Sequence, residues 1–399
     1  MINEKRMLEE FLNLIKYDSL SFEELDISIY LLYKLKSLGL EVEMDNAGHI
    51  LKDNPKATGN IYGYLKGNAE GEGIILSSHM DTVSPGINKK AMIENGIVKS
   101  LGDTILGADD VTGIVEILEV LTVIKEHNLK HPDIEVIFFV AEEAFCKGSS
   151  VFDFSRVKSK YAYVLDLSGR VGTIAISAPT IISFKITIHG KASHAGFEPE
   201  KGVSAILAYA NIVSKLKLGR IDDETTLNIG TVEGGTGKNI IPDLVVSLGE
   251  IRGMDDGKIN SILDNIKNIL DIETKKLNAT YEFEYEKNIS SYHVDRNSYV
   301  VKKYEEALDS LNYGKATIVK TFGGSDNNNF NLHGIVGVVL SNAMHNIHTK
   351  KEYFEIDEFV KSARILLEVV TLKWSKKKFK SPVDRTLFLF YNTVILVNI

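Results

Sequence analysis

The chain has 399 residues, a length that predicts two domains rather than one compact core. Its composition, 44% hydrophobic and 25% charged, is ordinary for a water-soluble globular protein. The net charge of -8 argues against nucleic acid or an anionic membrane surface as a partner, because both select for basic proteins.

The single cysteine and the two ends of the chain bear on its compartment. Cys146 is the only cysteine, so an intrachain disulfide is impossible, which fits a reducing, cytoplasmic location. Residues 1–16 alternate charged and apolar side chains like an amphipathic helix and lack the apolar core of a signal peptide. A basic stretch at 375–380 precedes a mostly apolar run at 387–399 that is too short to span a bilayer. We treat 375–399 as an atypical tail and assign it no function.

Four apolar runs in the sequence end in polar loops. They are residues 73–78 before His79, 134–141 before Glu142 and Glu143, 161–165 before Asp166, and 335–340 before His345 and His348. Continuous β-branched and aromatic runs predict strands of a sheet covered on both faces. The stretch 110–126 has apolar residues three and four apart and predicts a helix. This alternation is typical of an α/β sandwich, in which ligands gather at the carboxyl ends of strands.

The pattern changes at about residue 177. Strand-like segments at 181–189, 226–232, 245–252 and 281–286 are interleaved with helical ones at 202–216 and 258–276. The order β-α-β-β-α-β describes a ferredoxin-like unit. Helix-rich sequence resumes near Ser298, so we expect a domain at 177–289 inserted into a discontinuous main domain, 1–176 and 290–399.

Side chains able to bind zinc follow the predicted strands. They are His79, Asp109, Glu143, Asp166 and His348. Zinc in hydrolytic sites prefers histidine nitrogen and carboxylate oxygen, and a two-metal site needs one carboxylate shared between the ions. The adjacent acids at 109–110 and 142–143 would repel each other beside a buried sheet unless a cation compensates.

Simpler explanations stand beside each of these residues. An isolated histidine at a strand end is commonly a polar cap, and Asp110 also suits the cap of the helix that follows it. Cys146 could be a nucleophile, but no obvious base lies beside it, so a buried or loop position is favoured. Asp81, two residues after His79, has the spacing of a carboxylate that fixes the tautomer of a metal-bound histidine. His345 and His348 lie three apart, and the residues alone leave open which one binds metal.

Six motifs occur in a fixed order along the chain. They are SSHMDTV (77–83), LGADD (106–110), AEEAF (141–145), VLDLSG (164–169), GGSD (323–326) and HNIHTKKEY (345–353). Together they resemble the peptidase T branch of the di-zinc aminoacylase and carboxypeptidase G superfamily, over roughly residues 1–373. The resemblance implies a three-layer α/β/α zinc-exopeptidase catalytic domain with an inserted ferredoxin-like α+β lid and dimerisation domain.

The resemblance also implies a cofactor, two Zn2+ ions, with Mn2+ or Co2+ as substitutes. Asp109 would bridge the ions; His79 and Asp166 would complete one site, and Glu143 and His348 the other. The family pattern selects His348 over its neighbour because it places a histidine four residues before a glutamate, here Glu352. It further suggests a cis peptide between residues 109 and 110, which is costly without proline and tolerable at a functional site.

Catalytic and substrate-binding roles follow from the same resemblance. Glu142, the acid that is not a ligand, would act as general base on the zinc-bound water, whose hydroxide attacks the peptide carbonyl. His194 in GKASHAGFEPEKG (190–202) would reach across a dimer and stabilise the partner's oxyanion. Asn239 and Arg252 match substrate-binding positions, and Gly324 and His345 are further candidates. A capping or solvent-exposed His194 and an Arg252 in a plain surface pair are the alternatives.

The implied activity is release of the N-terminal residue from short peptides, by a homodimer formed through the inserted domain. A deacylase of N-acyl amino acids on the same scaffold remains an alternative, because both reactions attack an amide carbonyl. A catalytically inactive, metal-stabilised binding protein would be expected to lose a ligand or Glu142, and the set is complete. Nucleotide binding is disfavoured, since GGTG at 234–237 lacks a lysine-serine ending.

Overall fold

The computed structural model describes residues 1–52 and 54–371, so the basic and apolar stretches at 375–380 and 387–399 lie outside the described residues. The described chain forms two compact units. The first comprises residues 1–176, 293–320 and the residues from 325 onward, and the second comprises 177–292 and 321–324. The GGSD motif is therefore divided, because Gly323 and Gly324 belong to the second unit and Ser325 and Asp326 to the first.

Helices and strands alternate along much of the described chain. The helices are α1 (Glu4–Leu14), α2 (Leu25–Leu38), α3 (Ala47–Leu51), α4 (Ala108–His127), α5 (Lys147–Ser150), α6 (Ala205–Val213), α7 (Asp256–Leu277), α8 (Tyr299–Ser310), α9 (Asp326–Leu332) and α10 (Ile356–Val370). The strands before residue 180 are β1 (Glu41–Met44), β2 (Ile61–Leu65), β3 (Ile74–His79), β4 (Ala91–Glu94), β5 (Ile97–Ser100), β6 (Ile134–Phe139), β7 (Tyr161–Leu167) and β8 (Thr173–Ala178). The later strands are β9 (Thr180–His189), β10 (Gly219–Asp222), β11 (Thr225–Gly234), β12 (Leu244–Gly253), β13 (Thr280–Ile289), β14 (Tyr292–His293), β15 (Thr317–Lys320), β16 (Val336–Ser341), β17 (Met344–His345) and β18 (Tyr353–Glu355).

The main sheet has the order β1-β2-β6-β3-β7-β16-β8-β14, with β15 paired to β8. Its central strands β6, β3, β7 and β16 are parallel neighbours. Strands β3 and β6 are buried along their whole length, as their continuous apolar runs predicted. Because these strands are parallel, the loops that follow them emerge at one edge of the sheet.

Helices and an aromatic cluster cover this sheet. Helix α4 packs on β3 and β7, and α8 and α9 contact β7 and β16. The rings of Phe139, Phe152, Phe154 and Phe330 meet edge to face. Such aromatic pairs contribute about 0.5–1.5 kcal/mol each beyond their buried area. The cluster thereby fixes the end of β6 and helix α9, which both lead into polar loops.

The second unit is an antiparallel sheet of order β10-β11-β12-β9-β13 packed with α6 and α7. Its core includes Ile186, Ile188, Ile251, Ile266 and Leu270. Apart from β10, the elements follow the predicted β-α-β-β-α-β order, which confirms the ferredoxin-like interpretation. Strand β10 has the sequence GRID at the sheet edge, and four residues with two charges show no apolar alternation from which it could be predicted.

A third sheet, with the order β17-β18-β5-β4, lies in the first unit. Its antiparallel pairs bring the HNIHTKKEY segment beside β5, where Tyr353 pairs with Lys99 and Phe354 with Val98. The short strands β4 and β5 were not predicted. Among the described residues, helices that combine the length and apolarity needed to cross a bilayer are absent.

We predict that Gly113→Ala destabilises the protein although alanine favours helices. A Cβ at Gly113 would lie 2.7 Å from the Leu165 carbonyl oxygen and 2.9 Å from the Leu165 Cβ, so α4 would have to move away from β7. Overpacking of this kind costs about 1–3 kcal/mol. A lower thermal unfolding midpoint by calorimetry is expected.

Gly257→Ala in α7 is the matched control. The nearest atom to a Cβ there is Oδ1 of Asp255 at 3.1 Å, the end of a side chain that also accepts the Lys258 N–H at 2.7 Å. A shift of this side chain by a few tenths of an ångström relieves the contact, so little change in stability is expected. If Gly113→Ala were as stable as the wild type or more so, the close approach of α4 and β7 would not be needed.

Candidate metal centre

The five zinc-binding candidates come from separate elements of the first unit. His79 ends β3, Asp166 lies near the end of β7, and Glu143 follows β6. Asp109 is at the start of α4, where residues 109 and 110 have non-helical backbone angles. His348 lies between β17 and β18 in a left-handed conformation with φ 62°. The peptide between residues 109 and 110 is cis, which confirms the expectation from the resemblance.

Asp109 stands between two histidines. Its Oδ1 is 3.2 Å from Nε2 of His79, and its Oδ2 is 3.1 Å from Nε2 of His348. His348 Nε2 also lies 2.7 Å from Oε1 of Glu143, and His79 Nε2 lies 3.9 Å from Oδ1 of Asp166. Each oxygen of Asp109 therefore faces a different histidine.

The side chains form three groups of three residues, and within each group the metal-binding atoms lie within 4.8 Å of one another. The groups are His79 with Asp109 and Asp166; Asp109 with Glu143 and His348; and His79 with Glu142 and Glu143. The first two groups share Asp109, which is what a two-metal site requires of the carboxylate that serves both ions. The third differs in including Glu142.

The electrostatics of these groups fit divalent cations. Burial raises the pKa of Glu142, Glu143 and Asp166, because the charged form loses its hydration there. Hydrogen bonds with Asp109 and Glu143 raise the pKa of His348 to about 10. Repulsion from neighbouring acids raises the pKa of the carboxyls of Glu142, Glu143 and Asp166 further, so a cation among them would be stabilised. Imidazole nitrogen and carboxylate oxygen are also the donors that zinc, manganese and cobalt accept.

Asp81 organises both a ligand and the acidic loop. Nδ1 of His79 lies 2.9 Å from the Asp81 carbonyl oxygen and 3.3 Å from Oδ1, which leaves Nε2 for a metal. The carboxylate of Asp81 also accepts the backbone N–H groups of Glu142 and Glu143, at 2.9 and 3.1 Å. A single buried residue thus orients His79, mainly through its carbonyl oxygen, and through its carboxylate holds the loop that carries the adjacent acids.

Glu142 and Cys146 contact each other. The Cys146 thiol donates to Oε1 of Glu142 at 3.2 Å, and Oε2 of Glu142 lies 4.0 Å from Nε2 of His79. Cys146 is 1% exposed, and burial raises the pKa of its thiol far above the usual range. A neutral thiol is a poor nucleophile, so the geometry favours the buried-residue interpretation of Cys146.

Sequence reasoning missed the role of Glu352. Its carboxylate accepts the backbone N–H groups of Leu106 and Gly107 at 2.7 and 2.8 Å, and that of Asp109 at 2.9 Å. Glu352 is fully buried, and its three bonds hold the loop in which Asp109 lies. The spacing after His348 was a visible signal, but it served only to choose between two histidines.

A second missed network surrounds Asp110. Its carboxylate accepts the Ser78 hydroxyl at 2.5 Å and the Asn342 side-chain amide at 2.7 Å. Burial raises the pKa of Asp110 far above its usual range. Asp110 is thus fixed within the core next to the site, beyond the helix-cap role considered from its sequence position.

The remaining candidates are in none of the three donor groups found among the described residues. His345 stacks on Tyr353, with ring centroids 4.9 Å apart, and is in none of those groups of the described chain. His194, Asn239, Arg252 and Gly324 belong to the second unit. Arg252 binds both carboxylate oxygens of Glu250, at 2.8 and 3.1 Å, and the Phe322 carbonyl oxygen at 2.9 Å. Asn239 is exposed, and a Cβ at Gly324 would lie 2.4 Å from Ile289 Cδ1.

Two family models of peptidases match parts of the chain. The family model "Peptidase dimerisation domain" matches residues 176–278, and "Peptidase family M28" matches residues 60–185. An uncharacterised protein of Bacillus subtilis, YqjE, is 39% identical over 375 residues, which are 93% of this chain and 99% of that protein.

Two solved structures are also similar over nearly their whole length. The aminopeptidase PepT from Bacillus cereus is 36% identical with a TM-score of 0.85, covering 92% of this chain and 98% of the other. A tripeptidase from Staphylococcus aureus is 35% identical with a TM-score of 0.89, covering 93% and 98%. With such identity over the full fold, the chain belongs to the peptidase T-like M20 metallopeptidases.

Proposed function

We propose that the chain is a di-zinc aminopeptidase that removes the N-terminal residue from short peptides. The observation that carries the proposal is Asp109, whose two oxygens face different histidines within two donor groups. The aminopeptidase and tripeptidase among the similar structures support the choice of substrate.

Two donor sets would hold the ions: His79, Asp109 and Asp166 on one side, and Asp109, Glu143 and His348 on the other. When bound, such ions polarise the peptide carbonyl and lower the pKa of water, with Mn2+ or Co2+ as possible replacements for Zn2+. The chain's own part is to fix these donors, through Asp81 beside His79 and through Glu352 beneath Asp109.

Glu142 is the proposed general base. It lies against His79 but outside both groups that contain Asp109. As a buried carboxylate beside His79, it would accept a proton from the attacking water. The same carboxyl then protonates the amine nitrogen as the C–N bond breaks.

The second unit is proposed to bind substrate and to form the homodimer, since it carries the match to a peptidase dimerisation domain. Nδ1 of His194 accepts the backbone N–H groups of Gly196 and Phe197, at 3.1 and 3.2 Å. In the neutral ring the hydrogen is therefore on Nε2, ready to donate to an oxyanion. The bidentate pair with Glu250 favours the surface-pair alternative for Arg252.

We predict that Glu142→Gln keeps its bound metal and loses nearly all turnover, because glutamine cannot accept the proton. General-base catalysis contributes about 10²–10⁴-fold, so kcat should fall within that range. Metal analysis and steady-state kinetics on the same preparation provide the test. A variant that retains wild-type kcat would remove Glu142 from the mechanism.

Metal content distinguishes the two neighbouring histidines. Loss of an outer partner of a ligand costs about 10–100-fold in metal affinity, so loss of a direct donor should cost at least as much. His348→Ala is expected to lower bound zinc accordingly, whereas His345→Ala, which removes a ring stacked on Tyr353, keeps it. Metal titration followed by elemental analysis measures both variants. The opposite pattern would exchange the roles of His345 and His348.

A substrate panel tests the proposed specificity. The zinc- or manganese-loaded protein is offered free di- and tripeptides, peptides blocked at either end, and N-acyl amino acids. Cleavage of tripeptides that requires a free amino group is the expected result. Cleavage restricted to N-acyl amino acids would replace the aminopeptidase with a deacylase on the same scaffold.

A further inference from the structure

Residues 17–24, here called the N-terminal strap, are tied to the loop that follows β3. The loop donates three hydrogen bonds to the strap: Lys89 Nζ to the Tyr17 carbonyl oxygen at 2.9 Å, the Asn88 N–H to Asp18 Oδ1 at 2.7 Å, and the Thr82 N–H to the Ser19 carbonyl oxygen at 2.7 Å. The strap donates one in return, from the Ser21 hydroxyl to Asp81 Oδ2 at 2.7 Å. The last of these reaches the carboxylate that orients His79. The strap is therefore part of the support of the metal centre.

Glu24 at the end of the strap contacts a second loop of the centre. Its side chain is 0% exposed, and its Oε1 accepts the N–H of Phe22 at 2.8 Å and that of Ala141 at 2.9 Å. Both donors are non-glycine residues in the left-handed region, with φ 70° and 51°. Such conformations persist where the surroundings enforce them. One buried oxygen thus fixes two unfavourable turns.

Ala141 directly precedes Glu142, so the amide bound by Glu24 is the first of three in a row. The next two, of Glu142 and Glu143, are bound by Asp81. Resting on the proposed role of Glu142, we propose that Glu24 is a positioning residue: it holds Ala141 left-handed and so directs the Glu142 carboxyl toward the reacting water. Glu24 acts through the backbone and touches no substrate.

Glu135 provides a matched control for Glu24. It is also 0% exposed, and it accepts the Tyr62 hydroxyl at 2.6 Å and the Ser159 N–H at 2.6 Å. Glu135 lies near the start of β6, whereas Ala141 follows its end. Methionine at either position removes a buried acceptor while keeping a similar side-chain volume. Only the acceptor of Glu24, however, binds an amide of the loop that carries Glu142.

The expected result for Glu24→Met is a kcat about 10–100-fold lower with KM nearly unchanged, since a small misplacement of a catalytic group costs that much. Glu135→Met, compared at equal folded fraction and metal content, should keep wild-type kcat. Glu24→Gln should stay close to wild type, because its amide oxygen can accept the same two N–H groups. Burial raises the pKa of Glu24 to about 8, so its carboxyl is largely protonated near neutral pH. The neutral amide of glutamine therefore resembles the group that it replaces.

Rescue by glycine makes the test specific. Glycine adopts positive φ without a Cβ penalty, so Ala141→Gly should restore part of the kcat lost in Glu24→Met. Hydrogen exchange gives a reading that needs neither metal nor substrate. In metal-free Glu24→Met, the amides of residues 140–146 should exchange faster than in Glu135→Met.

Two results would overturn the positioning role: equal kcat and equal exchange in Glu24→Met and Glu135→Met, or a Glu24→Gln variant as impaired as Glu24→Met. Failure of the proposed function is seen separately. It would show as full activity in Glu142→Gln or as no peptide cleavage by the wild type, while the exchange comparison still reports whether Glu24 holds the loop.

Discussion

Buried negative charge around Asp109 is the constraint on which the metal centre depends. The two oxygens of this carboxylate face His79 and His348, and the carboxyls of Glu143 and Asp166 complete the donor groups. Ionised groups lose their hydration in the interior, so this concentration of acids is stable when positive charge lies among them. The parallel strands bring these residues together, because their carboxyl ends meet at one edge of the sheet, where α4 also begins.

Further buried acids hold the loops rather than a metal. Glu352 accepts the amides of the Asp109 loop, Asp81 accepts those of Glu142 and Glu143, and Glu24 accepts that of Ala141. Loop backbone leaves N–H groups without ladder partners, and a buried N–H without an acceptor is costly. The same bonds that satisfy this requirement also fix the direction of the side chains that these loops carry. Loop stability and site geometry are therefore one problem in this protein.

The sequence was most informative where side chains carry the signal. Strands β3, β6, β7 and β16 could be predicted from their continuous apolar runs, and the candidate ligands from their position after those runs. Glu352 and Glu24 could not be assigned, because the loops that they hold are bound through backbone amides far along the chain, and every residue but proline has such an amide. The left-handed Ala141 and Phe22 were equally hidden, since neither residue type indicates positive φ.

The residues proposed to bind substrate in the second unit show a different limit of sequence reasoning. Glu250 and Arg252 are two apart on β12, and residues two apart on a strand share a face, so their pairing could have been read from the sequence. Three of the five N–H donors of Arg252 are bound to Glu250 and to the Phe322 carbonyl oxygen, and its charge is already paired with Glu250. His194 differs, because its two backbone partners bind Nδ1 and leave Nε2 as the donor. These bonds need not be broken when Nε2 donates. Of the two proposed roles, that of His194 is therefore better supported by its contacts than that of Arg252.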